Sequence, residues 1–183
     1  MSSSKVEEEL TAPAGPTAGK VARSAVSGTF VGAKARSKRP VTMMGTQLYR
    51  LDPQERIAVI RQGIDASIIG NLSLRMGMSK ESLLSSLGLS RATISRKEKD
   101  ATVLSKDESE RVLGVETLIG MVQTMVEQSG DPSGFDAARW VSNWLSKPLP
   151  ALAGATPASY MDTFEGQKLV AELLSMSQSG AYA

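Results

Sequence analysis

The sequence predicts an all-α protein in which a disordered N-terminal tail precedes two small helical domains. Of the 183 residues, 41% are hydrophobic, mainly Leu, Ile, Val, Ala and Met, and only 4% are aromatic, a mixture that favours helices over strands. Beyond residue 50, apolar residues recur at three- and four-residue spacings behind side chains suited to cap helices. No alternating strand pattern and no internal repeat is visible.

The predicted divisions are a basic tail over 1–48, a helix-turn-helix-like domain for DNA binding and dimerisation over 49–113, and a C-terminal helical domain over 114–183. Residues 1–40 are rich in Ser, Ala, Gly, Pro and Thr and have few large apolar side chains, so burial cannot offset the entropy of ordering them. Their KARSKRP run at 34–40 suits phosphate contact or a solvated linker. The EEE at 7–9 argues against an organellar transit peptide.

Helix punctuation then follows in order. Asp52-Pro53-Gln54-Glu55 supplies a cap, a proline at the first helical position and an acid in the first turn, ahead of Ile57, Ile60 and Ile64 as the inner face. Gly63 breaks that helix, and Asp65 is expected to cap a second one carrying Ile68, Ile69 and Leu72. Ser79 caps a short helix with Leu83, Leu84 and Leu87, and Ser90 caps the next. Ser105-Lys106-Asp107-Glu108 is a capping box opening the longest helix, about 106–128. A further helix over about 134–146 presents Ala137, Trp140, Val141, Trp144 and Leu145, with Trp140 expected in the core and Trp144 set near the helix end, and Lys147-Pro148-Leu149-Pro150 ends it. Thr156-Pro157 starts a short helical turn, and Thr163 caps a last helix bearing Leu169, Val170, Leu173 and Leu174.

Composition narrows the function classes. The chain has no cysteine and no histidine, which removes disulfides, thiolate metal sites, the commonest metal ligand and the commonest general base. No apolar run is long enough to span a membrane, and a cytoplasmic protein with no membrane partner is expected. The carboxylates form no constellation beyond scattered ones such as Asp162 and Glu165, which lie three apart at a helix start where capping accounts for them; neither an enzyme nor a cofactor is expected. The net charge of +2 is uneven: residues 1–40 hold seven Lys or Arg against three Glu, whereas 114–183 hold three against seven acids. The two ends should therefore meet different partners.

The stretch LGLSRATISRKEKD at 87–100 reads as the turn and second helix of a helix-turn-helix. Gly88 stands where the turn needs positive φ, and Leu83, Leu87, Leu89 and Ile94 take the buried spacings. Leu84 replaces the usual small residue, and Lys97 a usually apolar one. Ser90, Arg91, Thr93, Ser95 and Arg96 are the groove-facing candidates, with Lys97 and Lys99 suited to phosphates. The alternative is a solvated surface helix, and Glu98 and Asp100 would weaken contact with a phosphate backbone.

In order and spacing, LGLSRATISRK at 87–97, LSKDESERV at 104–112, WL at 144–145, PALAG at 150–154, TPASYMDTFEGQKLVAELL at 156–174 and the final GAYA resemble the Xre/MbcA/ParS family of toxin-antitoxin antitoxins. The resemblance covers about residues 50–183. It implies an N-terminal helical part that binds operator DNA and represses its own operon, and a C-terminal part that binds a RES-domain toxin acting on NAD or transferring ADP-ribose from it. It also implies occlusion of the toxin's active site, with a homodimer expected on the DNA. The toxin-facing residues it implies are Trp144, Leu145, Pro150, Leu152, Gly154, Thr163, Gly166 and the tail Gly180, Ala181, Tyr182 and Ala183. Two positions depart from the family pattern: Ala153 stands where a second glycine is common, and Phe164 where an acid is. The competing expectation is a plain transcriptional regulator whose C-terminal domain only dimerises.

Overall fold

The computed structural model describes residues 46–178, which form eight α-helices and two short 3-10 turns. α1 (Thr46–Arg50) buries Leu48 completely, so helix begins within the last residues assigned to the tail. The rest of the tail, 1–45, lies outside the described residues.

α2 (Pro53–Gln62) starts as its sequence dictates. The Asp52 carboxylate accepts from the Glu55 amide at 2.8 Å, and the Glu55 carboxylate accepts from the Asp52 amide at 3.0 Å. Its inner face differs from the expected one: Val59 is buried and Ile57 is 46% exposed. Two residues apart on a helix point to nearly opposite sides, so burying Val59 turns Ile57 outward. After α2 the chain forms an isolated antiparallel bridge between Asp65 and Val103, where the Leu104 amide donates to the Ile64 carbonyl at 2.8 Å. The buried Ser109 hydroxyl accepts from the Ile64 amide there at 3.2 Å, so this polar crossing is satisfied within the core.

α3 (Ile68–Met76) begins later than expected. Asp65 does not cap it; its carboxylate accepts from the Ser67 amide at 2.8 Å, forming a turn ahead of the helix. α4 (Lys80–Ser86) is capped by the Ser79 hydroxyl, which accepts from the Ser82 amide at 3.0 Å. α5 (Arg91–Lys99) is capped by Ser90. α6 (Lys106–Ser129) carries the expected capping box, with the Ser105 amide donating to Glu108 at 2.6 Å and the Glu108 amide to the Ser105 hydroxyl at 3.2 Å. α7 (Ala137–Leu145) is capped by Asp136, and α8 (Phe164–Gln178) closes the described chain. Between them, 3-10 turns occupy Pro150–Leu152 and Pro157–Tyr160.

α6 is the spine. It packs against α1, α2, α7 and α8, and Val112, Leu113, Val115, Leu118, Ile119 and Val122 are buried along it in one core that runs from Leu48 to Leu174. The division expected between 113 and 114 falls inside this helix, and buried residues on both sides of it feed the same core. Glu116 is also wholly buried, with its carboxylate 2.7 Å from Nη1 of Arg75 on α3.

Candidate functional site

The helix-turn-helix is built by α4, the turn at Gly88 and α5. Gly88 has φ of +59° and its amide donates to the Ser85 carbonyl at 3.1 Å, a left-handed geometry that glycine adopts without strain. Leu83, Leu84, Leu87, Leu89 and Ile94 are all buried. Leu84 is tolerated in place of a small residue because its side chain enters the common core rather than separating the two helices.

Lys97 is explained in the same way. Its stem lies against the protein, leaving the side chain 19% exposed, and its ammonium group pairs with Glu108 at the start of α6. A lysine thus takes an inward position by carrying its charge to a carboxylate. Burial raises the Glu108 pKa, but the hydrogen bond from Lys97, the Ser105 amide and the lysine charge outweigh it, and the net shift is downward. Glu98, expected to repel phosphate, is paired with Lys80 of α4.

Arg91, Ser95, Arg96 and Lys99 share the exposed face of α5, with Ser90 exposed at its cap and Thr93 half-buried. Arg91 pairs with Glu81 at 3.3 Å, both largely exposed. Lys97 is therefore the one basic candidate on α5 directed toward α6 rather than outward.

The turn rests on an arginine that the sequence did not single out. Nη1 of Arg111 on α6 donates to the carbonyls of Leu87 at 3.2 Å and Gly88 at 3.0 Å. A methyl group added at Gly88 would sit 3.2 Å from Cβ of Asp162, in the segment leading to α8. Nearby, Nε2 of the buried Gln167 donates to the carbonyls of Arg111 at 3.0 Å and Met161 at 2.8 Å. The turn at Gly88, α6 and the start of α8 are thus joined through Arg111 and Gln167.

The C-terminal candidates divide into exposed and structural positions. Trp140 and Trp144 stack on α7 with ring centroids 6.3 Å apart and planes 9° from parallel. Trp140, expected in the core, is 39% exposed, while Trp144 is half-buried against the core. Helical spacing places the two on one side of α7 but does not tell which side, and Ala138, Val141 and Leu145 take the inner one. Leu145 and Leu152 are each 7% exposed. Pro150 and Gly154 are exposed on the loop after α7, where the Leu149 carbonyl accepts from the Leu152 and Gly154 amides, each at 3.0 Å. Ala153 there has φ of +52°, a conformation that costs an alanine roughly 1 kcal/mol and a glycine little.

Thr163 and Gly166 shape the entry to α8. The Thr163 hydroxyl accepts from the Gly166 amide at 3.1 Å, and a side chain on Gly166 would place Cβ 1.9 Å from the Tyr160 carbonyl oxygen. Leu169 on α8 is 38% exposed. Gly180, Ala181, Tyr182 and Ala183 lie outside the described residues. Among the described residues no cluster of three or more acidic, His or Cys side chains could hold a metal ion, and no helix is long and apolar enough to cross a membrane.

Residues 55–115 match the family model described as an antitoxin Xre-like helix-turn-helix domain, and 135–180 match the antitoxin Xre/MbcA/ParS C-terminal toxin-binding domain. The chain is also 41% identical over 150 residues to the Prs ADP-ribosylating antitoxin of Sphingobium sp. (strain YBL2), covering 82% of this chain and 94% of that one. The chain belongs to the Xre/MbcA/ParS antitoxin family. In the antitoxin the first matched region stops at 115, inside α6, and the second starts at 135, just before α7. Most of α6 therefore lies between the two matched regions, where it contributes core to both.

Proposed function

We propose that the antitoxin neutralises a RES-domain toxin, one that consumes NAD or transfers ADP-ribose from it, by covering the toxin's active site, and that it represses its own operon by binding operator DNA. The observation that carries this reading is the match of 135–180 to a toxin-binding domain. The name of the Sphingobium relative supports ADP-ribose chemistry for the partner. The acid excess of 114–183 suits a site lined by cations that otherwise hold the two phosphates of NAD. In this reading the antitoxin supplies no catalytic group and acts in the cytoplasm, where its toxin and operator are found.

For the operator, Arg91 and Arg96 on the exposed face of α5 have the geometry to read guanine edges, Ser90 and Ser95 to add single hydrogen bonds, and Lys99 to neutralise phosphate. A homodimer would set two recognition helices roughly 34 Å apart, so the operator should be an inverted repeat.

In this reading a RES-domain toxin is encoded beside the antitoxin, and the test is co-expression with it. Growth should be restored by the full chain and lost when 180–183 are deleted, with the helical content of the antitoxin unchanged. Absence of rescue by the full chain would reject neutralisation. Full rescue by the truncated chain would reject occlusion by the tail.

A further inference from the structure

α8 has two opposed faces. Gly166, Gln167, Val170, Leu173 and Leu174 are buried, whereas Glu165, Leu169, Glu172 and Met176 form one exposed stripe along the helix. Their successive separations keep all four on one side of a helical cylinder. The stripe alternates acid and apolar, with Leu169 38% and Met176 36% exposed. Of seven large hydrophobic side chains exposed among the described residues, four, Trp140, Phe164, Leu169 and Met176, fall within 135–180. Phe164 belongs to a different surface: it lines a groove of about 390 Å³ with Ile57 and Ile60 of α2, and Lys168 stands on that side.

We propose that the stripe Glu165-Leu169-Glu172-Met176 is the docking face for the toxin, and that it fits a basic surface with apolar recesses beside the toxin's phosphate-binding cleft. The inference rests on the antitoxin reading above. Three arguments select this occupant. No ion pair holds Glu165 or Glu172 among the described residues, so both carboxylates are available to a cationic partner. DNA would be repelled by them. A second copy seated on the stripe across a twofold axis would offer the carboxylates no cation, because the stripe itself carries none, whereas a basic partner pairs with each. Thr163 and Gly166, by contrast, act as cap and close-packing residue and support the stripe from behind.

The experiment titrates the full chain against the same RES-domain toxin, at low and high salt. Glu172→Lys and Leu169→Ser should each raise Kd by about tenfold or more, and Glu172→Lys should flatten the salt dependence. Leu74→Ser, at a 78% exposed site on α3 outside the matched toxin-binding domain, should bind as wild type. Circular dichroism checks that each variant keeps its helices, and Glu172→Gln serves as the mildest probe if Leu169→Ser does not. Wild-type Kd and wild-type salt dependence in the Glu172 variants would overturn the docking face while leaving the antitoxin reading intact. Failure of the wild-type chain to bind would overturn both.

Discussion

Burying a carboxylate costs several kcal/mol unless a cation and hydrogen bonds replace its water, and Glu116 meets that condition through Arg75. Removing the acid leaves the arginine facing a cavity in the core. Glu116→Ala should therefore lower unfolding stability by about 3 kcal/mol, read from urea denaturation, with the larger part recovered in the double variant with Arg75→Leu. Glu108 acts at the surface of the same helix and gives a pH signature. Its folded pKa is depressed by Lys97 and the capping amide, so the stability it adds is present above the ordinary carboxylate range and lost as pH falls through the depressed value. Denaturation between pH 7 and pH 3 should show this loss in the wild type and a smaller one in Lys97→Met. At this scale the helix caps were legible, because a cap depends on a few adjacent residues, as at Asp52, Ser79, Ser90 and Ser105. Glu116 was not, because a carboxylate at an apolar spacing reads as surface until the arginine of another helix is placed beside it.

An element is legible when its own periodicity fixes it and obscure when a neighbour does. α4, α5 and α6 follow their caps, whereas the inward face of α2 and the outward turn of Trp140 on α7 depend on what the helix packs against. The recognition turn belongs to the second kind. Its sequence supplies the glycine, but its carbonyls are held from α6 by Arg111. Arg111→Ala should cost only about 1 kcal/mol of stability, since one charged hydrogen-bond donor is lost at a partly solvated site. It should weaken operator binding more than a same-size stability loss elsewhere, because the angle between α4 and α5 is no longer fixed. Gel-shift titration alongside a thermal melt separates the two effects, and equal loss from an unrelated destabilising change would rule out a positioning role.

At the scale of the whole molecule, the expected architecture of a helix-turn-helix followed by a C-terminal helical domain holds, while their separation at 113/114 falls within a single helix and a single core. A fragment ending at 115 would lose Glu116 from beneath Arg75, the Gln167 side chain from the Arg111 carbonyl and half the apolar length of α6. It should be largely unfolded at 25 °C, as judged by circular dichroism and amide dispersion in NMR; a cooperative native-like melt of the fragment would contradict this. The direct seam between the turn at Gly88, Arg111 and the segment at Asp162 bears on how such proteins diversify. If partner specificity evolved by shuffling C-terminal halves between operons, crossovers within α6 would yield chimaeras whose helix-turn-helix is mismatched to its support. Lineages should instead change partners by point substitution on the outer face of α8, and keep α6 with whichever turn it arose beside.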